Sequence, residues 1–255
     1  MTAKGGEVEK LRIYLIGPPI IEWKGHSLAL PRRKVRALLY RLATELQPVA
    51  RDRLIDLFWN EVSDSQARRN LTHLLTHLRN ALPQAEMVQA THDFVFLNPD
   101  RVWSDTYAFL TLFRIPYSAQ QPQILDEAMA LFRGPFLDGL SLSGCPDFEQ
   151  WLVMERTCWQ RRHQLLLTRL IQQNVESGNL REAISNAQTY LLQEPFEPDM
   201  HRALVEMYLS KGDAEYVLQQ YERIADLIEV ARQSREALPA VHRVRAALES
   251  VGDGP

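Results

Sequence analysis

Apolar and polar positions along the chain change rhythm twice. Residues 11–17 alternate before Pro18-Pro19 interrupts them, and Ile20 to Trp23 and Ser27 to Leu30 flank Lys24-Gly25, a turn pair. That pattern predicts a small antiparallel sheet. The period then becomes helical. Val35, Leu38, Leu39 and Leu42 recur at i, i+3, i+4 and i+7 and predict a helix over about residues 32–45. Leu54, Leu57 and Phe58 predict a second, shorter helix after Val49-Ala50. A third is expected over about 65–82, opened by Ser63 and Gln66 at capping-box spacing and stopped by Pro83. Residues 87–90 and 94–97 return to strand patterning around Thr91-His92-Asp93, a loop suited to a hairpin.

From Asp105 onward the pattern is helical. Residues 112–123, with Pro116 and Pro122, form a break; 124–132 and 148–175 are strongly periodic, with a Gly-containing connection over 136–146. Gly178-Asn179 and Gly212-Asp213 then stand 34 residues apart, each after one helix and before another. Leu170 matches Leu204 at that offset, Ala183 matches Val217 and Ala187 matches Tyr221. A 34-residue helix–turn–helix period is the tetratricopeptide signature. Two such units bury too little surface alone, so the helices before residue 170 are expected to complete the stack. Phe148, Trp151 and Trp159 recur near helical spacing and are expected in the core.

These rhythms predict an α+β winged helix-turn-helix domain over 11–103 and an all-α tetratricopeptide-like domain over 104–250. Residues 1–10 are expected to be a flexible N-terminus and 251–255 a tail. A chain of 255 residues has room for both, and 45% hydrophobic with 24% charged residues excludes a disordered or fibrous class. No stretch approaches the roughly 20 apolar residues of a membrane span. The polar start implies no secretion signal, and two cysteines imply neither a disulfide framework nor a four-cysteine zinc site. A cytoplasmic protein is expected. The net charge of −3 is uneven: residues 1–103 carry 15 Lys+Arg against 11 Asp+Glu, so the remainder carries 14 against 21. A basic first part suits a polyanionic partner, and an acidic second part repels one.

The third helix carries the candidate chemistry. With 100° per residue, Leu71, Leu74, Leu75, Leu78 and Leu82 share one face. Gln66, Arg69, His73, Thr76 and Asn80 take the opposite face and are candidate base readers, because arginine pairs with guanine and Asn or Gln with adenine. Arg68, Thr72, His77 and Arg79 flank them as candidates for the DNA backbone. A helix in the major groove followed by a hairpin against the phosphates is the winged-helix layout, which adds His92 at the hairpin tip. Arg32, Arg33 and Lys34 at the first helix start, and Arg51 and Arg53 at the second, are either phosphate clamps or solvated helix starts. His73 and His77 have metal-pair spacing without the intervening glutamate or a third ligand, so no metal site is expected. No phosphate loop, nucleophile elbow or apolar carboxylate pair occurs, so neither an enzyme nor a cofactor is expected.

Residues 30–39, 49–54 leading into Phe58-Trp59, and 67–71 leading into 78–82 resemble the winged helix of the antibiotic-regulatory (SARP-type) bacterial activators, a module similar to the OmpR-type effector domain. Residues 131–140 and 148–152 leading into Glu155-Arg156 resemble the bacterial transcriptional activator domain that follows it. The likeness covers roughly 11–230 in the right order. It implies a transcription factor of the activator kind that binds direct repeats in double-stranded DNA and contacts RNA polymerase. It implies a polymerase-contact loop at Trp59, Asn60, Glu61 and Asp64, and a helical domain for homodimerisation and regulation. Thr72, His77 and Asn80 stand where the family carries further arginines, and Leu227-Ile-Glu-Val230 departs from the family's Glu-Leu-Gly-Val. Fewer cations weaken phosphate anchoring. The alternative is therefore a protein-interaction module whose winged helix is a scaffold.

Overall fold

The structure is a computed structural model that describes residues 9–114, 122–232 and 238–252. It divides into two compact units, residues 1–161 and 162–255.

Unit 1 opens with β1 (Leu11–Tyr14), β2 (Ile20–Trp23) and β3 (His26–Ser27). Lys24 and Gly25 both have positive φ, at 54° and 76°, and turn the β2–β3 hairpin. β3 is shorter than the expected 27–30, because Leu30 turns inward to 3% exposure and the next residue is Pro31, which has no N–H to give a ladder. Three helices follow: α1 (Arg33–Ala43), α2 (Arg51–Trp59) and α3 (Asp64–Ala81). Their leucines do what the period required. Leu38, Leu39, Leu42, Leu54, Leu71, Leu75 and Leu78 are all buried.

The capping box at α3 does not form. Ser63 is the N-cap, but its side chain accepts no cap bond; its backbone carbonyl takes the N–H groups of Gln66 and Ala67 instead. Gln66 turns along the helix and donates to Asn70 Oδ1 at 2.9 Å.

Beyond α3, a 3₁₀ turn (Ala85–Met87) leads into the hairpin β5 (Val88–Ala90) and β6 (Phe94–Leu97). Val49–Ala50 forms β4, which sequence periodicity left unassigned. It pairs with β6, Val49 opposite Val95 and Ala50 opposite Phe94, and gives a three-stranded wing in the order β4-β6-β5. β7 (Val102–Ser104) then runs parallel beside β1 and completes the first sheet in the order β3-β2-β1-β7.

The expected division after Trp103 falls inside unit 1. Ser104, Asp105 and Thr106 are fully buried. The Asp105 carboxylate accepts the backbone N–H groups of Leu15, Ile16 and Thr106 at 2.8 to 2.9 Å, while Ser104 and Thr106 hydroxyls donate to the Ala43 carbonyl. Burial raises the Asp105 pKa; the three N–H donors and the guanidinium of Arg133, 3.7 Å away, pull against that rise. Next come α4 (Asp105–Phe113), α5 (Pro122–Ala130) and the start of α6 (Pro146–Glu176). Residues 115–121, which include the expected break at Pro116, lie outside the described residues. Between α5 and α6, the Leu137 N–H donates to the Leu15 carbonyl and the Gly17 N–H to the Pro135 carbonyl. Gly17 has φ 116°, and a Cβ there would stand 3.0 Å from Arg133 Cβ, so the close approach needs glycine. Trp159, at 2% exposure, stacks on Phe136 and meets Phe109 edge-on. Phe148 is fully buried and tilts against Trp151, which is half-buried, so Phe148 and Trp159 take the expected core role and Trp151 only in part.

In unit 2 the end of α6 is followed by α7 (Leu180–Gln193), α8 (Pro198–Lys211), α9 (Ala214–Arg232) and α10 (Leu238–Gly252). Gly178 and Gly212, the repeat markers, have φ of 78° and 77° and end successive helices in the left-handed conformation. Ala183 and Ala187 are fully buried among Ile171, Leu204, Met207 and Tyr208. Their 34-residue counterparts diverge: Val217 is half-buried, and Tyr221 is 41% exposed. The side chains of 227–230, where the family motif departs, lie outside the described ones.

Candidate nucleic-acid interface

α3 owes its helix to the leucine stripe that packs it on α1 and α2, and to Asp64 in its first turn, where a carboxylate suits the positive helix end. The same stripe aims the remaining positions at solvent. Gln66, Arg69, His73, Thr76 and Asn80 are all exposed, so the five candidate base readers share one open helix face. Arg69 Nη2 donates to Gln66 Oε1 at 2.8 Å, and Gln66 passes the chain on to Asn70. This ladder holds Arg69 extended along the helix at no cost in buried surface. The Thr76 hydroxyl donates back to the Thr72 carbonyl, and Thr72 to that of Arg68.

The flanking cations divide into engaged and open ones. Arg68 bridges Asp64 at 3.1 Å and Asp52 at 3.0 Å, which pins the start of α3 to α2. These carboxylates raise its pKa, so it stays charged with part of its field already spent. Arg79 is half-buried and donates to the Val88 carbonyl at 3.3 Å, which joins α3 to the wing. Arg51 donates Nε to the Thr91 carbonyl at 3.0 Å, and its N–H goes to the Asp93 carbonyl, so it shapes the wing tip. Lys34 lies 5.1 Å over the Trp59 ring and reaches the Phe58 carbonyl at 3.4 Å. Arg32, Arg33 and Arg53 are exposed, as are Thr72 and His77. His92 is exposed at the wing tip, 2.7 Å from Asp93. Among the described residues no three His, Cys, Asp or Glu side chains converge as metal ligands.

The expected polymerase-contact residues are split by the helix ends. Trp59 ends α2 and Asp64 begins α3, and Asn60 and Glu61 lie in the connection between them. That connection is packed from below by the start of α6. Phe58 stacks on Phe148 at 5.4 Å, Asn60 Nδ2 donates to Asp147 Oδ2 at 3.0 Å, and the Cys145 thiol faces the Phe58 carbonyl. Sequence reading did not find this support. No local spacing links residues 58–60 to 145–148.

The second half matches the model of the bacterial transcriptional activator domain over residues 116–249, more than half of the chain. The chain belongs to that family. With the winged helix ahead of that domain it has the two-part build of the SARP-type regulators, and it is a transcriptional regulator of that kind. The family is one of transcription regulators rather than enzymes. Among solved structures the chain is similar to Mycobacterium tuberculosis EmbR in complex with a low-affinity phosphopeptide, with a TM-score of 0.68 and 19% identity over 96% of this chain and 69% of that one. That likeness carries the fold. No curated protein matches the sequence. No helix is long and apolar enough to cross a membrane among the described residues.

Proposed function

We propose that this SARP-type regulator binds double-stranded DNA through α3, which lies in the major groove with the β5–β6 wing against an adjacent phosphate run. The observation that carries the reading is the open face of Gln66, Arg69, His73, Thr76 and Asn80, opposite a fully buried leucine stripe. Arg69, His73 and Asn80 supply donors for base edges, and Arg32, Arg33 and Arg53 supply exposed cations for phosphates. In this reading the chain binds direct repeats as a homodimer, activates transcription, and meets RNA polymerase at the segment of Trp59, Asn60, Glu61 and Asp64. The structured DNA-binding part spans 11–103, and 104–250 serves pairing and regulation.

The test is selection of bound duplexes from a random library by the full chain, followed by footprinting over a salt series. A recovered repeat and a steep salt slope are expected. Arg69→Ala should relax preference at one base pair and cost about 1–3 kcal/mol. Equal loss for all sequences would place Arg69 on a phosphate instead. A second reading has its own support: Arg68, Arg79, Arg51 and Lys34 already serve protein groups, which leaves few cations for DNA. In that reading the helical repeats capture a protein, and binding to any duplex is flat and sequence-blind.

A further inference from the structure

Unit 2 contains a cavity of about 380 Å³ that DNA binding does not use. It opens between the second half of α7, the Pro195 turn, α8 and α9. Its apolar wall is Leu191, Leu192, Pro195 and Leu204. Leu192 stands on the lip at 83% exposure, a large apolar side chain left uncovered beside a concave apolar surface. The volume lies in the range of small-molecule sites.

The polar end of the cavity is built from buried groups whose orientations are fixed by one another. His201 is 2% exposed and Gln220 4%. His201 Nε2 lies 2.7 Å from the Pro195 carbonyl, which can only accept, so Nε2 carries the hydrogen. Burial holds this imidazole below its ordinary pKa, so Nδ1 keeps its lone pair. Gln220 Nε2, 2.8 Å from Nδ1, must therefore be the donor. The Gln220 amide cannot be turned round without losing that bond. Its carbonyl oxygen is left over on a cavity-lining residue, with no partner among the described residues. Gln188 spends its amide nitrogen on Tyr208 Oη at 2.9 Å and leaves a second carbonyl oxygen on another lining residue. Asp226 adds a carboxylate at the rim. Three acceptors thus line one apolar hollow, where a donor from an occupant could reach them. Arg223 is the opposing charge on the rim and would favour an anion.

We propose that this cavity is a binding site for a small amphipathic amine. Its apolar body lies against Leu191, Leu192 and Leu204, and its ammonium head donates to the Gln220 carbonyl and pairs with Asp226. The acidic balance of residues 104–255, 14 Lys+Arg against 21 Asp+Glu, favours a cation over an anion there. An occupant would bridge α7 to α9 and stabilise the repeat unit by mass action.

The test uses the full chain and two probes that share one ring system and differ in the sign of the head: tryptamine and indole-3-propanoate, titrated by calorimetry at low salt. Saturable binding of tryptamine, at least tenfold tighter than the acid, is expected. Asp226→Asn, an exposed change that leaves the fold alone, should weaken tryptamine about 3- to 10-fold. Leu192→Ala should also weaken it, and neither change should alter duplex binding. Equal or tighter binding of the acid would show that Arg223 governs the rim and overturn the proposal. So would the absence of saturable tryptamine binding, or an Asp226→Asn variant that binds it unchanged.

Discussion

Outside the proposed DNA-reading face, Arg156 ties a whole loop to α6. Its guanidinium donates to three backbone carbonyls, those of Phe136 at 3.1 Å, Leu137 at 2.7 Å and Leu140 at 3.0 Å. Leu137 has positive φ at 49°, so this stretch turns without a regular helical or sheet ladder to take up its carbonyls. One planar fork on α6 satisfies them together. Arg156→Met keeps the stem's packing but takes the guanidinium from all three carbonyls, and among the described residues only that of Leu137 keeps another donor, the Leu140 N–H at 3.0 Å. It should cost about 2–4 kcal/mol, read as an earlier loss of tryptophan fluorescence on heating. Arg156→Lys should recover only part of that, because an ammonium cannot span the three oxygens. An unchanged melt would mean that water replaces the guanidinium freely. In the sequence Glu155-Arg156 was visible only as part of a resemblance. Its role was hidden because its partners are backbone atoms 16 to 20 residues away, on which side-chain identity leaves no trace.

Among elements, those with a regular apolar period were legible and those made by pairing or by buried polar groups were not. α1, α2 and α3 follow directly from their leucines, and the face of α3 opposite them is the face the sequence assigned to DNA. β4 is two residues long, too short for any period, and exists because Val49 and Ala50 meet β6. The 34-residue repeat was legible at its glycines, which must be left-handed, and at Ala183. It faded at Tyr221, where nothing packs closely enough to demand a small residue. Ala183→Leu and Ala187→Leu should therefore each overpack the cluster with Leu204 and Met207 and cost about 1–3 kcal/mol. All five tryptophans lie in residues 1–161, so the loss should appear in helical circular dichroism while tryptophan fluorescence keeps its transition. A neutral Ala183→Leu would mean that α7 presents another face to α8. The same unit should also lose stability in mild acid. Burial depresses the pKa of His201, and of His163 as well. Below about pH 6.5 the unfolded chain takes up protons that the folded one refuses, so the stabilisation held above that pH declines as pH falls. His201→Gln should flatten this decline. An identical pH slope in the variant would assign the effect to other groups.

For the whole chain, the informative place is the one where sequence and structure divide the molecule differently. A polar Ser-Asp-Thr run after a short apolar strand has the composition of a linker, and it marks the charge boundary between a basic and an acidic half. In the structure it is a latch. Asp105 takes two N–H groups from the end of β1, Ser104 and Thr106 hold the end of α1, and Ser104 caps α4 by accepting from Tyr107. Burying these groups is affordable only because each is hydrogen-bonded, and nothing in their identity distinguishes a satisfied buried polar run from a solvated one. A chain ending at Trp103 loses all of those bonds, along with the Phe109, Phe136 and Trp159 cluster beside them. A chain ending at Arg161 keeps every one. Residues 1–161 should therefore give a cooperative thermal transition and carry the proposed sequence-dependent DNA binding, weakened by the loss of any pairing through the second half. Residues 1–103 should melt at least 10 °C lower, or lose cooperativity, because the freed backbone donors of Leu15 and Ile16 have no replacement partners. Circular dichroism melts of the two fragments, read beside the full chain, decide between these divisions. If the 103-residue fragment melts as sharply and as high as the 161-residue one, the latch contributes little, and the winged helix is complete without the segment that follows it.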